Sequence, residues 1–347
     1  MRLPPCVNLT LATLAICAMT SCAAEPRAAP FPAAGGPVWP APPAAPRLVY
    51  IGAFSVAADL GIHGSVWRRL ADFALGADPQ RLVAPIAVAT DAAGQVIYVA
   101  DPGSGAVHRF DRVHNRYRRL ARRGGEPLPS PVALAVSSDG RVYVADSKLG
   151  EIYAARADAD HFERVTLGGP LSQPTGLAID RVDGRLIVTN TASHSLKVFA
   201  ANGEFLTEFG GRGTEAGQLN YPTFLWLDAQ RRLYVTDSLN FRIQRFDASG
   251  SYLDGFGSAG TVSGTLARPK GIAVDRAGHV YVVDALFHAI QVFDARGEFL
   301  FALGEQGQAA GQFWLPAGIF ISVDDTLYVA DTQNHRVQVF RYVGVAP

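Results

Sequence analysis

The stretch LYVADTQNHRVQVF, residues 327–340, alternates apolar and polar side chains as a β-strand does, breaks at Asp331, Asn334, His335 and Arg336, and resumes as a second strand. An acid, an amide, an imidazole and a guanidinium within six residues have the chemistry of an active site. They also have the chemistry of a tight turn, in which short polar side chains bond the local backbone. The stretch decides the fold because it recurs. YVAD stands at 98–101, 143–146 and 328–331, with IVTN at 187–190, YVTD at 234–237 and YVVD at 281–284. A proline opens each copy: Pro85, Pro131, Pro174, Pro222, Pro269 and Pro316, at intervals of 46, 43, 48, 47 and 47 residues.

A period near 45 residues built of short alternating strands specifies propeller blades. Each unit parses into four strands. Strand a follows the proline (GLAID, 176–180) and strand b is the YVAD run. Strand c is IQRFD (243–247) or VQVF (337–340), and strand d is FLTEFG (205–210) or FLFALG (299–304). Alternation puts Ile272 and Val274, and likewise Val280 and Val282, on one face of a sheet for burial between blades. The sixth unit ends without a strand d, and RLVYIGAF (47–54) has the character of the missing piece. Borrowing it gives an all-β, six-bladed propeller of four-stranded blades, closed by the N-terminal strand and free of exposed sheet edges. Burial of Leu48, Tyr50 and their neighbours is then worth roughly 5 kcal/mol, at about 1.5–3 kcal/mol per side chain. A seven-bladed ring would leave two blades incomplete.

The rest of the chain adds context. Among 347 residues, 31 basic side chains face 31 acidic ones, so net charge favours neither nucleic acid nor an anionic membrane surface. The three cysteines, at 6, 17 and 22, lie within MRLPPCVNLTLATLAICAMTSC, where Arg2 precedes an apolar run too short to span a membrane. MTSC resembles a bacterial lipobox, so residues 1–21 read as a lipoprotein signal peptide and Cys22 as the lipidation site; an ordinary signal peptide cut nearby is the alternative. Residues 22–46, rich in Ala and Pro, read as a tether without a core of their own, and 47–347 as the propeller domain. Ser65, Trp67, Leu70, Ala71 and Ala74 are spaced for a short amphipathic helix over 63–78.

The motif P-x-G-I-A-V-D, then L-Y-V-A-D-x-x-N-x-R-I-Q-V-F-D, then G-x-x-G-x-x-x-G-Q-F, carried best by residues 268–313 and the sixth unit, resembles the NHL repeat, and the chain is similar to NHL-repeat proteins across 81–340. Its opening looks like that of bacterial lipoproteins in this group. The resemblance implies a six-bladed propeller; activity varies among members, so function has to be argued from sites. In the amidating lyase that shares the repeat, zinc-ligating histidines follow the proline that opens strand a. Those slots here hold Ile86, Val132, Thr175, Thr223, Lys270 and Ala317, so that ligand set does not carry over. No matching set for the streptogramin-type lyases is found either.

The acceptor ending strand b recurs in all six units, as Asp101, Asp146, Asn190, Asp237, Asp284 and Asp331. Catalysis needs one site, so a turn-forming role, accepting N–H groups of the b–c turn, fits better. Three histidines in one slot, His194, His288 and His335, lie in units too far apart to converge on a metal at about 2.0–2.1 Å. Trp226 and Phe320 stand where other units have alanine, and either plug the channel or fill core between blades. The expectation is an envelope-anchored scaffold that binds a protein or ligand, with no catalysis, metal or cofactor of its own. Partners are expected to be an envelope protein or ligand, the membrane only through the anchor, and no nucleic acid; the domain is expected to be monomeric. A possible binding face comprises Lys270, His194, His288, His335, Asn240, Arg242, Asn334 and Arg336. The alternative is a metal-dependent lyase or hydrolase with a site in the central channel.

Overall fold

A computed structural model describes residues 36–63 and 80–344. Cys22 with the signal segment, and residues 64–78 of the expected helix, lie outside the described residues. The chain is all-β. Among the described residues, helical backbone is confined to short 3-10 turns such as Ala57–Leu60, Thr191–Ser193 and Thr332–Asn334.

Units 3, 4 and 5 are each a four-stranded antiparallel sheet in chain order. Their first strands are Pro174–Ile179, Pro222–Leu227 and Pro269–Val274. Units 1 and 2 fuse into one eight-stranded sheet. Strand d of unit 2, His161–Arg164, starts as a parallel partner of strand d of unit 1, Arg116–Arg122, with His161 opposite Ala121, and then pairs with its own strand c. Strands a of successive units touch in a cycle, and that of unit 6, Ile319–Ile321, touches Ala87–Thr90 of unit 1. Strand b is buried along its whole length in most units, as in Val280–Asp284. The alternation explains this. Ile272, Val274, Val280 and Val282 pack on one side of their sheet, while Ala273, Tyr281 and Val283 pack on the other against unit 6. Each sheet face thus serves a different neighbour. Adjacent strands a approach closely at Gly176, where an added Cβ would sit 2.3 Å from the carbonyl oxygen of Thr223.

The N-terminal strand, Leu48–Phe54, lies antiparallel on strand c of unit 6, Arg336–Tyr342, with Leu48 opposite Tyr342 and Phe54 opposite Val337. It carries the bulge of an ordinary strand d. Strands d skip one residue against strand c at Leu206, Leu253 and Leu300, and the N-terminal strand skips Ile51. Phe54, Ile51 and Leu60 share a buried cluster with Phe110 of unit 1 and Val337 and Val339 of unit 6. Thr332 Oγ1 donates to the carbonyl of Pro85 at 2.8 Å, a further bond between the two ends of the chain.

The expected boundary at residue 46 shifts. Val38–Trp39 forms a fifth strand on this sheet, paired with Leu48–Val49. The Trp39 ring stands edge-on to Phe340 at 5.7 Å and covers Gly311, whose φ of 76° and lack of a Cβ make room for it. Tyr252 and Phe299 stand beside the corresponding Gly217 and Gly264 in units 4 and 5, through their Cβ atoms. A lone tryptophan in Pro/Ala-rich sequence has no periodicity to announce this docking.

Candidate functional site

Two regions hold the candidate residues: the b–c turns and the central channel. At the turns, each strand-b acceptor is almost wholly buried. Asp101, Asp146 and Asp284 accept N–H groups of their own b–c turn, as expected, and also N–H groups of the segment leading into strand a: Val83 and Ala84, Ser130, and Ala267 and Arg268. Units 3, 4 and 6 differ. There the b–c turn closes on its own backbone as a 3-10 turn without a side-chain cap, ending in a left-handed residue, His194, Phe241 or His335. The backbone N–H groups that the acceptor bonds are then those of the lead-in, Ser172, Asn220 and Trp314.

The second carboxylate oxygen of Asp237 collects Asn240 Nδ2, Arg242 Nε and Gln244 Nε2 at 2.8, 2.8 and 3.0 Å. Arg242 then donates to the carbonyls of Thr214, Glu215 and Gln218. Asp331 repeats the set with Asn334, Arg336 and Gln338. Four candidates for a binding face, Asn240, Arg242, Asn334 and Arg336, therefore spend donors tying the d–a connection to the turn. The histidines bond the next unit. His194 Nδ1 accepts from Tyr221 N–H at 3.2 Å, His288 Nδ1 from Leu315 N–H at 3.0 Å, and His335 Nδ1 bonds the carbonyl of Val83. Among the described residues no three His, Cys, Asp or Glu side chains are grouped to hold a metal. Lys270 is half-buried, and burial, reinforced by the Arg268 charge, holds its ammonium below the usual lysine range.

The channel holds a cavity of about 620 Å³ lined by strand a of every unit and by the a–b turns. It excludes the slot residues after the prolines, Lys270 among them. Trp226 and Phe320 neither fill it nor leave it symmetric. Their rings meet edge to face, 5.7 Å apart, and form part of its wall. The Trp226 indole N–H is buried without an acceptor among the described residues. Charge lies at the mouth, and most of it is committed. Arg231 bridges Asp180 and Asp183 of unit 3, each at 2.6 Å, and Arg276 reaches Asp325 of unit 6 at 2.6 Å. Arg232 holds Asp228 at 2.8 Å, while Asp275 takes His279 Nδ1 and the Tyr281 hydroxyl. Burial, with the Asp275 charge and hydrogen bond, drives the Tyr281 phenol far up. Arg181 alone of these mouth arginines has no ion-pair or hydrogen-bond partner for its guanidinium among the described residues. Arg181 and Phe224 were missed in the sequence; the signal available for Phe224 was that Gly or Ala fills its slot in the other units.

These features match known proteins. The chain belongs to the NHL family: the model of the teneurin NHL domain matches residues 121–315, and that of the NHL repeat matches 313–340. A search of curated proteins finds no match. Among solved structures, a streptogramin B lyase is similar with a TM-score of 0.56 and 16% identity, over 75% of this chain and 94% of that one. A selenomethionine-substituted virginiamycin B lyase from Staphylococcus aureus gives 0.54 and 17%, over 75% and 96%. An auxiliary nutrient binding protein from Bacteroides thetaiotaomicron gives 0.60 and 11%, over 76% and 70%. At these identities the likeness is one of fold.

Proposed function

We infer that this protein is a six-bladed NHL propeller, held in the cell envelope by a lipid on Cys22, that binds a small ligand in its central cavity without chemistry of its own. The observation that carries the reading is the cavity: about 620 Å³, within the usual range for ligand sites, walled by apolar strand-a residues, with its mouth carboxylates engaged in ion pairs and turns. A general acid or base needs a titratable group free to reach substrate; Asp180, Asp228, Asp275 and Asp325 are held by arginine, histidine or tyrosine, and Asp91 accepts the N–H groups of Gln95 and Val96 in its own turn. Six blades are supported by six repeats, by the cycle of strand-a contacts and by the strand-d bulge in the N-terminal strand.

The lipobox-like MTSC and the stretch from Cys22 to the first described residues support an exported, anchored domain, with the outer membrane or cell surface as its location. The domain is a monomer and contacts the membrane only through its anchor. The binding test is a thermal-shift screen of the full chain against a small-molecule panel, repeated with Ala135→Phe, which narrows the cavity. The reading expects at least one compound that raises Tm in the wild type and not in the variant; shifts equal in both proteins refute it. For the anchor, Cys22→Ser should lose metabolic acyl label and remain unprocessed, and processing indistinguishable from wild type would sink that part.

A further inference from the structure

The cavity owes its shape to departures from the repeat. Counting from the opening proline, the third and fifth residues of strand a are Gly or Ala in units 1, 2, 3 and 5. Unit 4 instead carries Phe224 and Trp226, and unit 6 carries Phe320 in the fifth place. Units 4 and 6 flank unit 5, which has Gly271 and Ala273 in these places, and Trp226 and Phe320 meet at 5.7 Å and 62° between ring planes. Phe224 lines the same cavity. Three rings thus gather on one side, while units 1 to 3 offer a smooth wall of Ala87, Ala133, Ala135, Gly176 and Ala178. A slot with one ring wall and one smooth wall favours a flat ring system, because aromatic pairs gain beyond the area they bury. At the mouth, Arg181 supplies a guanidinium with no partner among the described residues, suited to a carboxylate or similar anion.

We propose that the cavity takes a planar aromatic molecule bearing one anionic group, its rings against Phe224, Trp226 and Phe320 and its anion at Arg181. The proposal rests on the reading of the cavity as a binding site and adds the class of ligand.

The probe is naphthalene-2-carboxylate, titrated calorimetrically into the full chain beside neutral 2-naphthamide and non-planar cyclohexanecarboxylate. The carboxylate should bind one per chain, and the amide about 10-fold more weakly, for loss of a charged hydrogen bond. Cyclohexanecarboxylate should be several-fold to about 10-fold weaker, for loss of ring contacts. Arg181→Gln should erase the difference between carboxylate and amide, and Phe320→Leu should shrink that between naphthyl and cyclohexyl. Ala135→Phe should block all three; if that variant does not fold, Ala178→Leu narrows the same cavity. Equal binding of cyclohexanecarboxylate, or an Arg181→Gln variant that still prefers the carboxylate, overturns the ligand class. If no naphthyl probe binds while an unrelated panel compound is still excluded by Ala135→Phe, the class falls and the cavity reading stands. If Ala135→Phe and Ala178→Leu fold and leave binding unchanged, both fall.

Discussion

Phe54→Ala tests closure most directly, because Phe54 belongs to three parts of the chain at once. It lies in the N-terminal strand, opposes Val337 of unit 6, and sets its ring edge-on to Phe110 of unit 1 at 5.4 Å and 72°. It is 1% exposed. Truncating a buried phenylalanine costs about 3–5 kcal/mol, of which the ring pair contributes roughly 0.5–1.5 kcal/mol. A domain has roughly 5–15 kcal/mol in all, so the loss should be large. Phe205→Ala is the matched control: the same residue type on an outer strand d, but 40% exposed, with an expected cost below about 1 kcal/mol. Urea unfolding followed by tryptophan fluorescence gives both midpoints. A cost for Phe54→Ala no larger than for Phe205→Ala would refute the claim that the N-terminal strand seals the ring. A crosslink gives a second route. Val49→Cys with Arg341→Cys places thiols on directly opposed residues, within disulfide reach, and their oxidation should raise the midpoint.

Other outcomes follow from the same geometry. Trp39→Ala should cost about 2 kcal/mol, half of a full core truncation because the ring is half-buried, whereas deleting 23–35 should leave the urea midpoint nearly unchanged. Asp237→Ala strands the donors of Asn220, Asn240, Arg242 and Gln244, so a loss of about 3–5 kcal/mol in urea unfolding is expected, with Asp237→Asn milder. For Asp101, burial works to raise the carboxyl, but bonds from His108 and from the N–H groups of Val83 and Ala84 outweigh it and hold the group below its usual 3.8. A depressed carboxylate contributes stability above that unfolded value and loses it as pH falls through the lower folded one. Wild type should therefore weaken below about pH 4 more steeply than Asp101→Asn in urea midpoints taken from pH 5 to 2.

The frame of the molecule was legible because the repeat constrains it many times over. The borrowed strand is the sharpest case. FLTEF, YLDGF and FLFAL in units 3 to 5 share an aromatic residue, a leucine that bulges out of register, and an aromatic or leucine that returns to the core. YIGAF at 50–54 has that form, and its Ile51 bulges as the leucines do. Trp39 was not legible, since what places it is the bare Gly311 and the face of Phe340, some 270–300 residues away in the chain. The b–c turns were half legible. An acid at the end of strand b announces a buried acceptor, but whether it serves its own turn depends on the residues after it. With TAS-H, SLN-F and TQN-H the backbone closes a 3-10 turn, and the backbone N–H groups that the acceptor takes are those of the lead-in.

That division bears on where function resides. The acceptors ending strand b in every unit, and the pairs that units 4 and 6 share, Asn240 and Asn334, Arg242 and Arg336, are consumed in holding one unit to its connections, since a scaffold has to satisfy the same buried backbone groups in each unit. A ligand approaching the axis of a ring meets all units at once, and identical units would offer it no preferred orientation. Orientation requires that symmetry be broken, and in this chain it is broken where Phe224, Trp226 and Phe320 replace Gly or Ala and where Arg181, unpaired among the described residues, stands at the mouth. The indole N–H of Trp226 has no acceptor among the described residues, and a purely structural core would avoid such a donor by using leucine. Trp226→Leu should therefore stabilise the fold or leave it unchanged while weakening retention of any cavity ligand. A variant that loses stability and keeps its ligand would assign the ring to the core and not to the site.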